Sequence, residues 1–306
     1  MKIVVYQALV RLFGNTCTCN VPYGTKEENG VGKFSDFTDA ALEGIKQLGT
    51  THIWLTGVLH HALVGDYTHI GISNDIPYLV KGRAGSPYAV KDYYNVNPDL
   101  ADNPVQRLEE FVILIERIHQ HGLKVIIDMV PNHVARHYHS ISNPRGVEDF
   151  GAQDNTQVGY IRDNNFYYNV GELLTLPTST IDYMPEEPAL RELLLTPYKE
   201  YPAKWTGNSR SSSPALTDWY ETVKLNYGVA PDGRKDFDSL PPEFAHWDTG
   251  THYAFWRSRV VPSTWRKFKE IVSFWLSLGV DGFRYDMAEM VPVEFWSYLN
   301  SFIKST

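Results

Sequence analysis

One joint recurs three times in this chain: a segment of helical periodicity, then a glycine, then a short apolar run. In each helical segment the apolar side chains fall three or four residues apart, and β-branched or aliphatic residues dominate the run that follows. The three joints are Phe37–Leu48 with Gly49 and Thr51–Leu59, Gln106–Gln120 with Gly122 and Lys124–Val130, and Trp265–Leu278 with Gly279 and Val280–Met287. With an apolar strand at Lys2–Phe13 and a helix at Val293–Ile303, the pattern predicts four strand–helix units of a parallel α/β protein.

A long segment without this pattern separates the third predicted strand from the last joint. Residues 134–247 are rich in Asn, Gly, Pro, Ser and Tyr, and the segment is too long for an ordinary connection. The sequence therefore predicts a first part at 1–133, an inserted irregular domain at 134–247, and a continuation at 248–306 that adds a helix, a strand and a helix.

Charge and hydropathy exclude several classes of partner. The 306 residues carry 28 Lys and Arg against 36 Asp and Glu, a net charge of −8, which argues against nucleic acid and anionic membrane surfaces. No apolar run approaches the roughly 20 residues of a membrane span. At the start of the chain, Gln7 and Arg11 interrupt the apolar run, as a secretory signal would not. We therefore expect a cytoplasmic protein.

The last predicted strand ends in two charged side chains of opposite sign. Arg284 and Asp286 are two residues apart, so alternation along a strand places them on the same face. A guanidinium beside a carboxylate keeps that carboxylate ionised and oriented, as a nucleophilic Asp requires. One reaction that uses such a nucleophile is glycoside hydrolysis, which also needs a second carboxyl group. Only 20 residues follow Asp286 (306 − 286).

Polar and aromatic residues also follow the other predicted strands. Asp128, Asn132 and His133 close the third strand, and Tyr88 and Asp92 lie in the predicted loop after the second strand. Active sites of parallel barrels form at these carboxyl ends, and tyrosine, histidine and carboxylate side chains suit the stacking and hydroxyl contacts of a sugar. Taken singly, each of these signals is weak, because such side chains more often serve structure.

Taken together, these motifs resemble the α-amylase family of glycoside hydrolases. Asp128 to His133 is similar to the first family signature (Asp-x-x-x-Asn-His), and Asp281 to Asp286 (Asp-Gly-Phe-Arg-Tyr-Asp) is similar to the second. The segment around Tyr88 is similar to the aromatic segment of the family that forms the –1 subsite, where the attacked sugar ring binds. The resemblance implies a retaining enzyme of α-glucans with a (β/α)8 barrel. This chain would supply strands one to four, with 134–247 as the inserted domain B after strand three.

The resemblance implies a role for each matching residue. Asp286 would be the nucleophile and Arg284 the group that holds it ionised. His133 would bind sugar hydroxyls, Tyr88 would stack on the ring, and Asp128 would support the site from below. Two more positions match: Asp92 would be a structural partner in its loop, and Asn132 matches a position that often ligates a structural calcium ion.

Two departures from the family pattern limit what the resemblance implies. Glu289-Met290 stands where many members carry Lys-His, and the histidine carbonyl there binds calcium. The calcium site is therefore doubtful, and no cofactor is expected to be required. The general acid of the family follows strand five, and the only nearby downstream glutamates, Glu289 and Glu294, lie beside the connection from strand four to helix four.

Two hypotheses follow from these departures. In the first, the chain is the N-terminal part of a hydrolase that cleaves α-1,4 bonds of starch or maltodextrin. In the second, it is a truncated, non-catalytic module that binds α-glucan, and its open sheet edges would favour a dimer or a complementary C-terminal half. The retained Arg284–Asp286 pair favours the first hypothesis, because such a pair has little purpose in a pure binding module.

Overall fold

The computed structural model of the protein describes residues 2–177, 181 and 183–306. Strands and helices alternate over much of this range. The strands are β1 Val5–Leu9, β2 His52–Thr56, β3 Leu59–His61, β4 Val90–Val96, β5 Lys124–Met129, β6 His133–Ala135, β7 Tyr168–Asn169, β8 Ala203–Lys204, β9 Thr222–Lys224 and β10 Gly282–Tyr285. The α-helices are α1 Lys26–Asn29, α2 Asp39–Gln47, α3 Arg107–Gln120, α4 Pro188–Leu195, α5 Thr249–Trp256, α6 Ser263–Ser277 and α7 Val293–Ser305.

A four-stranded parallel sheet forms the centre of the fold. Its strand order is β1-β2-β5-β10, and each neighbouring pair is parallel. The register pairs Leu55 with Ile127 and Arg284 with Asp128. The predicted parallel sheet is thus present, and its register brings the polar ends of the third and fourth predicted strands side by side.

The helices of the three predicted joints pack against this sheet through their apolar faces. Trp265, Phe268 and Trp275 of α6 are fully buried in the core, as is Phe111 of α3. The joint after α6 requires glycine, because Gly279 has a φ of +97°, in a region that other residues rarely adopt. A left-handed glycine ends the helix and turns the chain directly into the next strand.

The structure corrects the prediction for residues 51–94. The predicted strand Thr51–Leu59 divides into β2 and β3 at a turn where Gly57 has a φ of +76°. The predicted loop contains β4, which pairs antiparallel with β3. All seven residues of β4 are buried, so its polar and apolar residues do not alternate between a solvent-exposed face and a buried face. The alternation that identifies a strand in sequence was therefore missing.

Part of residues 134–247, the predicted insertion, folds back beside the end of β5. Strand β9 pairs antiparallel with β6, and the register places Lys224 opposite His133. Arg136 extends this contact, because its Nε donates to the carbonyl oxygen of Tyr220 at 2.6 Å and its Nη1 to Oε1 of Glu200 at 2.6 Å. Residues 134–136 and 220–224 are thus held together beside the carboxyl end of β5.

Helix α5 was not predicted. Its apolar residues are spread around the helix rather than along one stripe, so the period that marks an amphipathic helix is absent. Among the helices of the described residues, none is long and apolar enough to cross a membrane.

Candidate active site

The carboxyl ends of β5 and β10 bring two carboxylates to one guanidinium. Nη1 of Arg284 donates to Oδ1 of Asp286 at 2.9 Å and lies 3.4 Å from Oδ1 of Asp128. Asp286 follows the last residue of β10, and its backbone N–H still donates to the carbonyl oxygen of Met129 on β5 at 2.9 Å. The parallel register between the two strands therefore fixes the spacing of all three charged groups.

Burial differs among the three charged groups. The Asp128 side chain is 5% exposed and the Asp286 side chain 16%, whereas the Arg284 side chain is 35% exposed. Asp128 lies beneath the cluster, and Asp286 stands closer to solvent. Of the two carboxylates, Asp286 is therefore the one that a substrate could reach.

The electrostatics follow from this burial. Burial raises the pKa of Asp128 to about 6, although Arg284, the Gly57 backbone and the Trp54 indole act to lower it. For Arg284, burial acts to lower the pKa, but the carboxylates of Asp128 and Asp286 outweigh this effect and raise the pKa. The guanidinium thus stays charged, while Asp128 titrates in the mildly acidic range.

Aromatic rings surround the guanidinium. Cζ of Arg284 lies 5.1 Å from the ring centroid of Trp54 and 5.8 Å from that of Tyr88, within range of a cation–π interaction. Nε1 of Trp54 also donates to Oδ1 of Asp128 at 3.1 Å. The sequence placed Tyr88 at the site but gave Trp54 no role there. Its position on β2, beside β5 in the sheet, was the signal that could have found it.

His133 is the first residue of β6 and Asn132 directly precedes it; both are buried. Nδ2 of Asn132 lies 2.9 Å from Nδ1 of His133 and donates to the carbonyl oxygen of Gly207 at 2.9 Å. Burial and then the charge of Lys224 lower the pKa of His133 to about 4, against a hydrogen bond with the Tyr88 backbone that raises it. The His133 ring is therefore neutral at neutral pH. Its hydrogen bond with the Tyr88 backbone links it to the cluster around Arg284.

Asp92 lies away from the Arg284 cluster and within β4. Its carboxylate accepts a hydrogen bond from the backbone N–H of Tyr94 at 2.8 Å, the residue is fully buried, and burial raises its pKa. The predicted structural partner thus stands in a strand rather than in a loop.

The residues around Asn132 do not fit a calcium ion. Oδ1 of Asn132, the atom that would ligate the ion, accepts a hydrogen bond from the Lys224 ammonium. Burial lowers the pKa of Lys224 to about 8, so the ammonium remains largely charged at neutral pH. In the part of the chain that the structure describes, no group of three or more His, Cys, Asp or Glu side chains could hold a metal ion.

The turn after Asp286 borders a cavity. Met287, directly after Asp286, has a φ of +50°, a left-handed conformation that is uncommon for a residue other than glycine. The cavity of about 450 Å³ lies between this turn and the inserted segment, and its lining includes Tyr167, Trp205 and Glu289. Stacked aromatic rings line one side, since the centroids of Tyr167 and Trp205 are 4.4 Å apart.

Comparison with known proteins finds similarity to one enzyme family. The model of the α-amylase catalytic domain matches residues 24–169. A cyclomaltodextrin glucanotransferase from Geobacillus stearothermophilus is 28% identical over 178 residues, which is 54% of this chain and 22% of that enzyme. Pullulanase A from Streptococcus pneumoniae is 30% identical over 138 residues, 44% of this chain and 10% of the relative. Over residues 24–169, the chain is thus similar to the catalytic domain of the α-amylase family.

Solved structures agree at the level of the fold. The cyclic α-maltosyl-(1→6)-maltose hydrolase from Arthrobacter globiformis superimposes with a TM-score of 0.51 at 15% identity, covering 99% of this chain and 48% of that one. An α-amylase catalytic domain has a TIM-barrel-type fold, and this chain contains a sheet of four parallel strands. The chain spans less than a quarter of the curated relatives it matches and about half of the solved structure.

Proposed function

We propose that the protein containing this chain is a retaining glycoside hydrolase that cleaves α-1,4 bonds of starch- or maltodextrin-type α-glucans. The contact between Nη1 of Arg284 and Oδ1 of Asp286, at 2.9 Å, carries the proposal. It orients a carboxylate at the solvent side of a strand end, as the nucleophile of a retaining mechanism requires. The match to the α-amylase catalytic-domain model and the names of the relatives, which include a glucanotransferase and a pullulanase, support α-glucans as the substrate.

In the proposed reaction, a carboxylate oxygen of Asp286 attacks the anomeric carbon, and the bond to the leaving oxygen breaks. A general acid gives its proton to that oxygen; the same group then takes a proton from water, and the water oxygen displaces Asp286 from the sugar. Tyr88 would stack on the sugar ring, and neutral His133 would contact its hydroxyl groups. Asp128 would keep Arg284 in place from below.

We propose that the general acid comes from outside this chain. Such an acid has to lie roughly 5–5.5 Å from the nucleophile in a retaining enzyme. Glu294 is unsuited, because its side chain is buried on α7 and its Oε1 accepts a hydrogen bond from Nζ of Lys235 at 2.7 Å. The proposal includes a complete (β/α)8 barrel, of which this chain supplies four strands, and residues 134–247 as its inserted domain B.

One observation agrees both with this proposal and with the alternative of a non-catalytic module that binds α-glucan and assembles with a partner. Strand β1 is at one edge of the sheet, and its Val5 and Leu9 are 47% and 37% exposed. Apolar side chains on an edge strand favour pairing with further strands. A second copy, a separate complementary half or further strands of the same protein could each supply them.

The two functions differ in their dependence on Asp286. In the protein expressed from its native gene, Asp286→Asn should lower reducing-sugar release from maltooligosaccharides by on the order of 10⁴-fold. Binding of the same sugars, measured by calorimetry, should stay within a few fold, because the amide keeps the shape of the carboxylate. Glu289→Gln is the matched control, since it neutralises the exposed carboxylate on the following turn, and it should retain most of the activity.

Substantial hydrolysis by Asp286→Asn would refute the assignment of the nucleophile. If the unmodified protein binds maltooligosaccharides but releases no sugar, the non-catalytic alternative is correct. We also expect no Asp286-dependent release from the 306-residue chain alone. Clear activity from that chain would place the general acid within it.

A further inference from the structure

The Lys224 side chain lies where the inserted segment meets the end of the third strand of the parallel sheet. Its ammonium donates to Oδ1 of Asn132, and its backbone N–H donates to the carbonyl oxygen of Trp205 at 3.0 Å. The next residue, Leu225, donates its N–H to the Asn132 carbonyl oxygen at 3.1 Å. A single positive charge therefore joins β9 to Asn132 at a position where both backbones are already held.

The Asn132 amide is fully used by this arrangement. Its oxygen accepts from Lys224, and its nitrogen donates to the Gly207 carbonyl oxygen and lies 2.9 Å from Nδ1 of His133. Turning the amide to present its oxygen elsewhere would break the contacts to Gly207 and His133 together. Asn132 itself is 0% exposed, so water cannot replace the lost partners without rearrangement.

A calcium ion at this position would need a different set of groups. Calcium takes six to eight oxygen ligands, with carboxylates supplying much of the charge. Here the neighbours of Asn132 are an ammonium, a neutral histidine ring and a backbone carbonyl group. A divalent cation beside the ammonium would also be repelled by it.

We infer that Lys224 is the cation that ties the inserted segment to the end of the third strand, in place of a metal ion. Lys224 is a positioning residue: it fixes the Asn132 amide, whose N–H is then directed at Nδ1 of His133. The His133 ring is thereby held as the tautomer with its proton on Nε2. The inference concerns the metal and the positioning residue only, so it stands or fails independently of the proposed hydrolysis.

Thermal unfolding of the protein expressed from its native gene tests the role of Lys224. Lys224→Met keeps the aliphatic stem and removes the charge, which leaves the buried oxygen of Asn132 without a donor. We expect its unfolding midpoint to fall by about 5 °C, and the ¹⁵N signal of His133 Nδ1 to shift. Lys46→Met is the control, because Lys46 is exposed on α2, and it should change neither quantity. A Lys224→Met protein that matches this control in both would overturn the inference.

The effect of calcium on thermal stability tests the inference without a change at Lys224. We compare the shift in unfolding midpoint between excess calcium and excess chelator for the wild type and for Asn132→Ala, and expect the same shift in both. A calcium effect that is present in the wild type and lost in Asn132→Ala would overturn the inference.

Terbium, a luminescent substitute for calcium, gives a second measurement without altering the buried Asn132. The Trp219 ring lies 5.4 Å from the His133 ring and would sensitise terbium bound nearby. We expect equal terbium emission from the wild type and from Trp219→Phe. Emission that depends on Trp219 and that calcium displaces would overturn the inference.

Discussion

Ionisation of the buried Asp128 carboxyl group lowers the free energy of unfolding, and a single substitution should remove this effect. The carboxylate is 5% exposed, and burial raises its pKa from 3.8 to about 6 despite the nearby Arg284. Asp128→Asn replaces it with a neutral group of the same shape, whose oxygen can still accept the hydrogen bond from Nε1 of Trp54. We therefore expect this variant to be more stable than the wild type at neutral and alkaline pH.

The magnitude and the pH window follow from the two pKa values. The pKa of Asp128 is higher in the folded state than in the unfolded state, so the folded protein binds the proton more tightly. Stability then falls as the pH rises from about 4 to about 6 and stays low above that range. A difference of about two pKa units corresponds to about 3 kcal/mol. This is the upper limit of the gain that Asp128→Asn should show at about pH 8.

Urea denaturation of the wild type and the variant at about pH 4.5 and about pH 8 measures this difference. The gain in the free energy of unfolding should be small at the lower pH and approach its limit at the higher pH. Glu116→Gln is the control, because Glu116 is exposed on α3. If Asp128→Asn is less stable than the wild type at about pH 8, the attraction of Arg284 outweighs the burial of Asp128, and our reasoning is wrong.

Three further predictions concern neighbouring groups. Arg284→Lys should lower the free energy of unfolding by about 1–3 kcal/mol in urea denaturation, since an ammonium lacks the planar fork that serves two carboxylates; an unchanged value would contradict this. The lowered pKa of His133 means that stability is lost as pH falls from 6.5 toward about 4, and its ring should show no NMR titration between about pH 5.5 and 8. Arg136→Met removes the guanidinium from buried Glu200, which keeps Nζ of Lys204 at 3.4 Å, and should lower the free energy of unfolding by up to about 3 kcal/mol. Arg136→Met with Glu200→Gln should recover part of that loss; no recovery would mean that packing, not charge, dominates.

Parts of the fold were predictable because their signals are local in sequence. The helix α3 and the strand β5 show their periodicity within a short window, and a glycine separates them, so their existence and order were predicted. Strand β4 was not predicted, because it is buried on all sides by groups distant in sequence. Nε1 of Trp275, for example, donates to the carbonyl oxygen of Tyr93 at 2.8 Å.

The same distinction applies to the candidate site. Arg284 and Asp286 are two residues apart in the sequence, so alternation alone predicted that they lie on the same face. The contact of Lys224 with Asn132 joins residues 92 positions apart, and Trp54 meets Asp128 across 74 positions. Only the pairing of strands brings such groups together, and a single sequence does not record that pairing.

The shared guanidinium also predicts which group sets the acid limb of the proposed activity. With Asp128 and Asp286 ionised, the cluster around Arg284 carries a net charge of about −1, which stabilises an oxocarbenium-like transition state. Protonation of Asp128, with its pKa of about 6, removes that charge while Asp286 remains paired with Arg284. We therefore expect kcat/KM for maltooligosaccharides to fall below about pH 6. In Asp128→Asn the activity should be lower and this limb should be absent, because the group that titrates is gone. An acid limb of unchanged position in that variant would assign the titration to another group.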